Sequence, residues 1–337
     1  MSEAHEQRGG SGGRSPSGQM SEARATREAF GEALVRVGEE NPNVVAMDGD
    51  VATSVMTAEF GKRFPDRYFQ FGIAESNFIG VAAGLALTGK IPFAASFACF
   101  ITGRFETIRM SIGYNRASVR IVGTHVGVGI GQDGHSQMGL EDAAIMRTIP
   151  NMAVIQPATG LETERAVEYL VRHRGPAYLR LTRQKLPELF EENYEFRFGK
   201  GVLLREGSDV AIVASGATVA EALQAADLLK DHGISAAVAN IHTIQPIDGD
   251  LLVRLAEECG RIVTVEDHVP AGGLGGSVCE AISERRPVPV LRIGVRGFGE
   301  SGKAEELYDR FGLSGRRVAE ATAGFCASPA EVALARG

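Results

Sequence analysis

The segment FQFGIAESNFIG, residues 69–80, contains a single carboxylate, Glu75, among aromatic, aliphatic and small residues. Such neighbours are typical of a buried segment. Moving a lone carboxylate out of water costs several kcal/mol unless the group is paired or protonated. Either this segment is a surface turn with accidental apolar residues, or Glu75 has a partner that lies elsewhere.

A second candidate is the glycine-rich stretch THVGVGIGQDGHSQ, residues 124–137. Its glycines permit close approach of the backbone to a ligand, and His125, Asp133, His135 and Gln137 supply polar groups. The spacing is not GxGxxG and the stretch opens no obvious helix, so a dinucleotide site is not favoured. From composition alone, a ligand-binding loop and a plain glycine-rich turn both remain open.

Three further stretches carry groups that could bind a ligand. In RLTRQKLP, Arg180 and Arg183 end a predicted strand, where a guanidinium suits a phosphate or carboxylate, although a solvated basic strand end is favoured without other support. In SFACF, Phe97 and Phe100 would by default belong to the core. In VEDHVPAGGLGGSV, residues 265–278, an anion-binding loop and a tight packing turn are both open, and packing or an interface is favoured.

The elements that must position these residues alternate between strand and helix. Residues 22–190 read as helix EARATREAFGEALVRVGEE, strand VVAMD, helix NFIGVAAGLALTG, strand IPFAASF, helix ETIRMSIGYN and strand VRIVGTHV, followed by another strand, helix and strand. Such alternation predicts a mostly parallel sheet that is covered on both faces. Ligands collect at the carboxyl ends of such strands, where MDGDVATS, SFACF and the glycine-rich stretch fall.

The second half of the chain repeats the pattern after a polar segment. Residues 191–204 are predicted to be a linker, and residues 205–337 form a second α/β domain in which ISAAVANIHTI is one strand. Residues 1–21 are rich in Gly and Ser and are predicted to be disordered. The length of 337 residues fits two domains.

Composition narrows the class of protein. A formal charge of −7 without a basic block argues against a nucleic-acid surface, and no apolar run reaches the length of a membrane span. The four cysteines have no metal-binding spacing, which predicts a reduced, cytoplasmic protein.

Taken together, the motifs resemble the thiamine-diphosphate-dependent transketolase family, and more narrowly the carboxy-terminal half, as found when the enzyme is split into two polypeptides. The resemblance covers about residues 22–330. It depends on ATREAFGEAL, FGIAESNFIGVAAGLAL, SFACF, THVGVGIGQDG, LEDAAIMRTIPNMAVIQPA and LRLTRQKLP in that order. It implies a parallel-sheet, pyrimidine-binding domain followed by the family's carboxy-terminal α/β domain.

The resemblance also implies roles for individual residues. Glu75 would face N1′ of the cofactor's aminopyrimidine and share a proton with it, so that the cofactor's amino group can take the proton from C2 of its thiazolium. Phe97 and Phe100 would lie against the pyrimidine ring. The other cofactor-binding candidate is Asp50, and the substrate-binding candidates are Arg27, Ser54, His125 and Arg183 at a sugar phosphate and Asp133 at the substrate's C2 hydroxyl.

The sequence departs from the family pattern near the reacting carbon. Many transketolases read DGxTHQ, whereas this chain reads Asp133-Gly134-His135-Ser136-Gln137, so Gln137 occupies the usual histidine position and His135 comes two residues earlier. Both are candidate catalytic residues. An HSQ triplet is also similar to the β subunit of pyruvate-dehydrogenase-type enzymes. Where many transketolases have a tyrosine after the second aromatic residue, this chain has Gly103.

The metal-binding half of such a site is missing from the sequence. Enzymes of this class hold the diphosphate through Mg²⁺ bound by a GDG motif and a later asparagine, whereas this chain has MDGD and no GDG. We therefore expect a partner subunit that carries the diphosphate-binding domain and its Mg²⁺, in an α2β2 heterotetramer that acts on phosphorylated sugars. The alternatives are a β subunit of a 2-oxoacid dehydrogenase, a deoxyxylulose-phosphate-synthase-like acyloin former, and a non-catalytic partner.

Overall fold

The computed structural model describes residues 23–327. The predicted tail, residues 1–21, lies outside the described residues, as do residues 328–337 of the predicted second domain. The described residues form a seven-stranded sheet and a five-stranded sheet, both mostly parallel and both covered by helices. The predicted α/β fold class is confirmed.

The strands follow the apolar runs of the sequence. They are β1 (Arg24–Ala25), β2 (Val44–Asp48), β3 (Tyr68–Gln70), β4 (Ile91–Phe97), β5 (Arg120–Thr124), β6 (Ala153–Ile155), β7 (Ala177–Arg180), β8 (Lys185–Leu186), β9 (Val202–Arg205), β10 (Val210–Ala214), β11 (Ala236–Asn240), β12 (Thr243–Gln245), β13 (Ile262–Val265) and β14 (Val290–Ile293).

The helices supply the layers on both sides of each sheet. They are α1 (Thr26–Glu40), α2 (Ala58–Arg63), α3 (Glu75–Leu87), α4 (Ala98–Thr102), α5 (Phe105–Thr107), α6 (Asp142–Arg147), α7 (Gly160–Arg172), α8 (Thr218–Asp231), α9 (Gly249–Cys259), α10 (Leu274–Ser283), α11 (Ala304–Arg310) and α12 (Gly315–Ala327). The predicted helix ETIRMSIGYN is α5 followed by a π-helix, Ile108–Tyr114.

The first sheet has the strand order β12-β6-β7-β5-β4-β2-β3, and every pair except β12–β6 is parallel. Successive residues of its strands enter different apolar clusters, with Val44 and Ala46 on one face and Val45 and Met47 on the other. Burial on both faces explains why these strands read as continuous apolar runs. The carboxyl ends of β2, β4, β5 and β7 lie side by side.

The second sheet has the order β14-β13-β10-β11-β9, with only β9 antiparallel. The prediction that ISAAVANIHTI forms a single strand was wrong. Its first part is β11 in this sheet, whereas its end leads into β12, which pairs with β6 of the first sheet. The second half of the chain therefore completes the sheet of the first half. Strands β1, β3, β8, β9 and β14 and helices α2, α4, α6 and α12 were not predicted. The predicted first helix included Arg24–Ala25, which form β1, and the predicted linker, residues 191–204, contains most of β9.

A short antiparallel ribbon joins β1 to β8 and anchors the start of the described chain. None of the helices in residues 23–327 is long and apolar enough to cross a membrane.

Candidate active site

Four of the predicted site segments meet at one edge of the first sheet. Strand β4 ends at Phe97 opposite Thr124 of β5, and β2 pairs with β4 so that Asp48 lies opposite Ala95. The chain leaves these strands at Gly49, Phe97 and His125, and leaves β7 just before Arg183. Adjacent parallel strands thus bring together residues that are far apart in the sequence.

Glu75 is the first residue of α3 and is 5% exposed. Its one side-chain hydrogen bond among the described residues comes from the Ser96 hydroxyl, at 3.5 Å, which is long for an O–H···O bond. A β-carbon added to Gly49 would lie 3.6 Å from Glu75 Oε1 and 3.1 Å from the Gly72 carbonyl oxygen. The carboxylate is therefore buried against backbone with most of its acceptor capacity unused.

Three rings stack beside Ser96. Phe97 and Phe100 have ring centroids 5.3 Å apart and planes 9° apart, because they are three residues apart at the start of α4. The His125 ring stacks on Phe97 with centroids 3.7 Å apart. His125 has a φ of +58°, a left-handed conformation that is strained for a residue with a side chain. The contacts of the His125 ring with Phe97 and Thr124 offset the cost of this backbone conformation.

The tautomer of His125 follows from its two neighbours. Arg27 Nη1 lies 3.3 Å from His125 Nε2, and since a guanidinium only donates, Nε2 accepts. Nδ1 then carries the hydrogen and donates to Thr124 Oγ1 at 2.9 Å. Burial, followed by the charges of Arg27 and Arg183, lowers the pKa of His125 to about 3. This histidine is neutral at physiological pH.

Arg27 lies in the first turn of α1, directly after the β1–β8 ribbon. Its backbone N–H donates to the Thr182 carbonyl at 3.3 Å, next to Arg183. Its Nη1 donates to the backbone carbonyl of Ser54 at 2.9 Å. Among the described residues, the buried Nε atom of Arg27 has no hydrogen-bond partner. Burial, followed by the charge of Arg183, lowers the pKa of Arg27, and the charges of Glu28 and Asp133 offset this only in part.

Arg183 forms an ion pair with Asp133 of the glycine-rich stretch, at 2.6 Å between Nη1 and Oδ2. Both side chains are about two-fifths exposed. The pair connects β7 to the glycine-rich stretch, where Gly131 and Gly134 have φ values of +86° and +78°. Residues with side chains rarely adopt these angles, which explains two of the glycines.

The end of the glycine-rich stretch forms a 3₁₀ turn, His135–Gln137. His135 and Gln137 are both partly buried. The Cys99 thiol, between Phe97 and Phe100, contacts the Ser136 carbonyl at 3.5 Å, and burial raises the pKa of this thiol to about 12. The turn therefore lies beside the aromatic stack.

Arg180 belongs to the interior rather than to a ligand site. Its guanidinium and the Asp142 carboxylate are both fully buried and are joined at 2.8 Å and 3.1 Å. Tyr178 donates to the same carboxylate, and Arg180 also donates to the Asp267 carbonyl. The carboxylate of Asp267 accepts from the N–H groups of Val128 and Gly129. The favoured reading of VEDHVPAGGLGGSV as packing between domains thus agrees with its contacts.

Two predicted residues are less closely associated with the site. Asp50 is exposed and accepts from Gln70 Nε2 at 3.0 Å, on the segment that leads to Glu75. Ser54 contributes its backbone carbonyl to Arg27. Sequence reasoning missed Cys99, and it missed Phe298 and Gly299, which contact His135. For these two, the aromatic residue between two glycines in RGFGESG was a visible signal. Within residues 23–327, no three His, Cys, Asp or Glu side chains gather to hold a metal ion, and all four cysteines are free.

Comparison with protein-family models identifies two domains in this chain, in the order that the sequence predicted. The family model for the transketolase pyrimidine-binding domain matches residues 22–188, and that for the transketolase C-terminal domain matches residues 199–318. The chain belongs to the transketolase family. The buried Glu75, the aromatic stack and the glycine-rich stretch all lie in the pyrimidine-binding domain.

The similar proteins include partial and complete transketolases. A protein of Methanocaldococcus jannaschii described as a transketolase C-terminal section is 44% identical and aligns over 87% of this chain and 94% of its own. A 6-deoxy-6-sulfo-D-fructose transketolase subunit of a Clostridium species is 39% identical over 88% of this chain and 92% of that subunit. Human transketolase is 37% identical over 92% of this chain, which spans half of the human protein.

Solved structures agree with this assignment. A split-gene transketolase described as an inactive β4 tetramer superposes with a TM-score of 0.83 at 44% identity, over 89% of this chain and 98% of that one. A transketolase of Pichia stipitis gives a TM-score of 0.77 at 25% identity and covers 90% of this chain but 46% of its own. The predicted order of domains and the family are both confirmed.

Proposed function

We propose that this chain is the pyrimidine-side subunit of a split, thiamine-diphosphate-dependent transketolase. With a partner subunit, it transfers a two-carbon ketol unit from a ketose phosphate to an aldehyde acceptor. The observation that carries the proposal is the Glu75 carboxylate, which is buried with one long hydrogen bond beside the Phe97–Phe100 stack. An aminopyrimidine offers both a flat ring and a nitrogen that shares a proton with a carboxylic acid.

The residues at the sheet edge fit the pyrimidine half of the cofactor. Bound thiamine diphosphate supplies a nucleophilic carbon that attacks the ketose carbonyl. Phe97 and Phe100 are proposed to hold the ring by stacking, and Glu75 to bind and move the proton at N1′. Gly49 lets the backbone pass close to that carboxylate, because a β-carbon there would lie 3.6 Å from Glu75 Oε1. Asp50 is proposed as a further contact to the cofactor. His135 and Gln137 are proposed to contact the substrate near its reacting carbon.

Arg27, His125 and Arg183 are proposed to bind the anionic end of the sugar. Two guanidinium groups lie close enough for one to lower the pKa of the other, and a buried N–H of Arg27 lacks a partner. A tetrahedral oxyanion would accept hydrogen bonds from both guanidinium groups. The relative that acts on a sulfo-sugar suggests that the anion is a phosphate or a sulfonate. Asp133 is proposed to contact the C2 hydroxyl of the substrate, and Ser54 the anionic end.

The diphosphate half of the site is proposed to lie on a partner chain. This sequence contains no GDG motif, so Mg²⁺ and the diphosphate would be held by a subunit that carries that motif, in an α2β2 heterotetramer. The related split-gene β4 tetramer is described as inactive, which supports dependence on a partner. A cytoplasmic location and a role in carbohydrate metabolism are further predictions. The oxoacid-dehydrogenase and acyloin-forming alternatives are not favoured, because the most similar chains named above are transketolase sections and subunits.

The test is to purify the chain alone and with a coexpressed, GDG-containing partner from the same source. Thiamine diphosphate, Mg²⁺ and fructose 6-phosphate or 6-deoxy-6-sulfofructose are then supplied with an aldose phosphate acceptor. We expect ketol transfer only from the pair, and at least a 100-fold loss with Glu75→Gln, of the order that proton transfer by one side chain contributes.

The matched control is Glu59→Gln, which alters an exposed carboxylate on α2 and should leave the rate unchanged. Equal activity of the isolated chain would refute the dependence on a partner. Full activity of Glu75→Gln would refute the role of the carboxylate.

A further inference from the structure

A loop of the second domain, residues 296–302, lies directly on the glycine-rich stretch of the first domain. The Ser301 hydroxyl donates to the Gln132 carbonyl at 2.6 Å, and the Gly299 N–H donates to His135 Nδ1 at 3.1 Å. A β-carbon added to Gly131 would lie 3.3 Å from the Gly302 carbonyl oxygen. The second domain thus holds the segment that carries Asp133 and His135.

The hydrogen bond from Gly299 determines which nitrogen of His135 carries the hydrogen. A backbone N–H can only donate, so Nδ1 must offer its lone pair. In the neutral imidazole the hydrogen is then on Nε2. His135 Nε2 has no hydrogen-bond partner in the part of the chain that the structure describes, which leaves it able to donate to a ligand.

Phe298 fixes the plane of the same ring. Its centroid lies 4.7 Å from that of His135, with the planes at 70°, an edge-to-face contact. Phe298 is nevertheless 79% exposed, so its position is not explained by core burial. Two consecutive residues of the second domain thus constrain one histidine, one through the ring plane and the other through Nδ1.

We propose that Phe298 and Gly299 are positioning residues that present His135 Nε2–H to a hydroxyl or carbonyl oxygen of the sugar substrate. The inference rests on the proposed function, because the substrate is the phosphorylated sugar named there. His135 lies two residues from Asp133, the proposed contact to the C2 hydroxyl, so both groups would act on the same part of the sugar. The second domain would then take part in substrate recognition without touching the substrate.

The chain offers a matched pair of variants at Gly299. A β-carbon there would lie 2.3 Å from the sulfur of Met138, the flexible end of a side chain that must shift, and would make ordinary contacts with Leu140 Cδ1 at 3.5 Å and His135 Nδ1 at 3.6 Å. Gly299 does not have a positive φ. Gly299→Ala and Gly299→Pro both add this atom, whereas only the proline removes the N–H donor. Proline also adds ring atoms and restricts the backbone of Phe298, so the hydrogen bond is reported by the tautomer of His135 rather than by any difference between the two variants.

The first measurement uses the isolated, ¹⁵N-histidine-labelled chain and needs no activity. Long-range ¹H–¹⁵N correlation spectra distinguish the two neutral tautomers, and the His135 signals are those lost in His135→Asn. We expect the Nε2–H tautomer in the native chain and in Gly299→Ala, and a mixture with the Nδ1–H tautomer in Gly299→Pro. An Nδ1–H tautomer in the native chain, or identical spectra for the two variants, would overturn the proposal.

The second measurement uses the assembled enzyme. We expect Gly299→Pro and Phe298→Ala to raise the KM for the sugar phosphate about tenfold and to change kcat less than twofold, since each weakens one hydrogen bond to the substrate. Gly299→Ala should stay within twofold of the native KM. An unchanged KM in both Phe298→Ala and Gly299→Pro contradicts the proposal. If the native pair shows no ketol transfer, the proposed function fails, whereas the tautomer measurement still decides the role of Gly299.

Discussion

Glu162 in the first turn of α7 provides a prediction whose sign and size follow from the structure. Its carboxylate is fully buried and accepts from Ala158 N–H at 2.7 Å, from Tyr194 Oη at 2.6 Å, and from Asn240 Nδ2 at 2.9 Å and 3.1 Å. Burial outweighs these hydrogen bonds and raises the pKa of Glu162 from 4.5 to about 7. The folded protein therefore binds this proton more tightly than the unfolded chain does.

This difference makes the free energy of unfolding depend on pH. The stabilisation is fully present below pH 4.5 and is lost as the pH rises to about 7, because the unfolded chain releases the proton first. The difference between the pKa values of Glu162 in the folded and unfolded states corresponds to about 3 kcal/mol in the free energy of unfolding. Glu162→Gln stays neutral throughout and keeps the acceptor oxygen. Its amide can donate to Asn240 Oδ1, which is buried without a partner among the described residues, once the Asn240 amide turns over.

The assay compares urea unfolding of the native chain and Glu162→Gln between pH 4.5 and pH 8, followed by circular dichroism because the chain has no tryptophan. We expect the native chain to lose about 3 kcal/mol relative to Glu162→Gln over this range. Glu257→Gln, an exposed change on α9, should run parallel to the native chain. A difference between the native chain and Glu162→Gln that stays constant from pH 4.5 to pH 8 would refute the reasoning.

Three further predictions concern the first domain. Asp142→Ala should lower the free energy of unfolding by about 3–5 kcal/mol, because it leaves the buried Arg180 without its carboxylate partner. A decrease of less than 1 kcal/mol, measured by urea unfolding, would contradict this. Phe97→Leu removes its stacking on the rings of Phe100 and His125 and should lower the free energy of unfolding in urea by about 1–2 kcal/mol, more than Phe100→Leu, which loses one such contact. A larger loss in Phe100→Leu than in Phe97→Leu would contradict this. The pKa of His125 is about 3, so this residue should not change its charge between pH 6 and pH 8. His125→Asn should therefore leave the pH dependence of KM for the sugar phosphate unchanged over this range. Loss of a titration step between pH 6 and pH 8 in the variant would show that His125 ionises.

The sequence predicted the fold class because both sheets are buried on two faces and their strands read as apolar runs between helices. It also indicated the site segments, since glycines and polar residues follow β2, β4, β5 and β7. Elements with mixed burial were missed, such as β14, whose residues are partly or fully exposed. The interior role of Arg180 could not be read from its neighbours, because its partner Asp142 is far along the chain. Contacts between the domains, such as Gly299 with His135, could not be predicted, because the glycines around Phe298 do not show which residue of the first domain they contact.

The pairing of β12 with β6 has a consequence for domain shuffling. Residues 243–245 belong by sequence to the second domain, yet they close an edge of the first sheet. A chimera joined within residues 191–204 would exchange that edge strand along with the rest of the second domain, and a fragment that stops there would leave β6 open to pairing with other chains. Recombination that preserves the site must therefore treat the two domains as a single inherited unit.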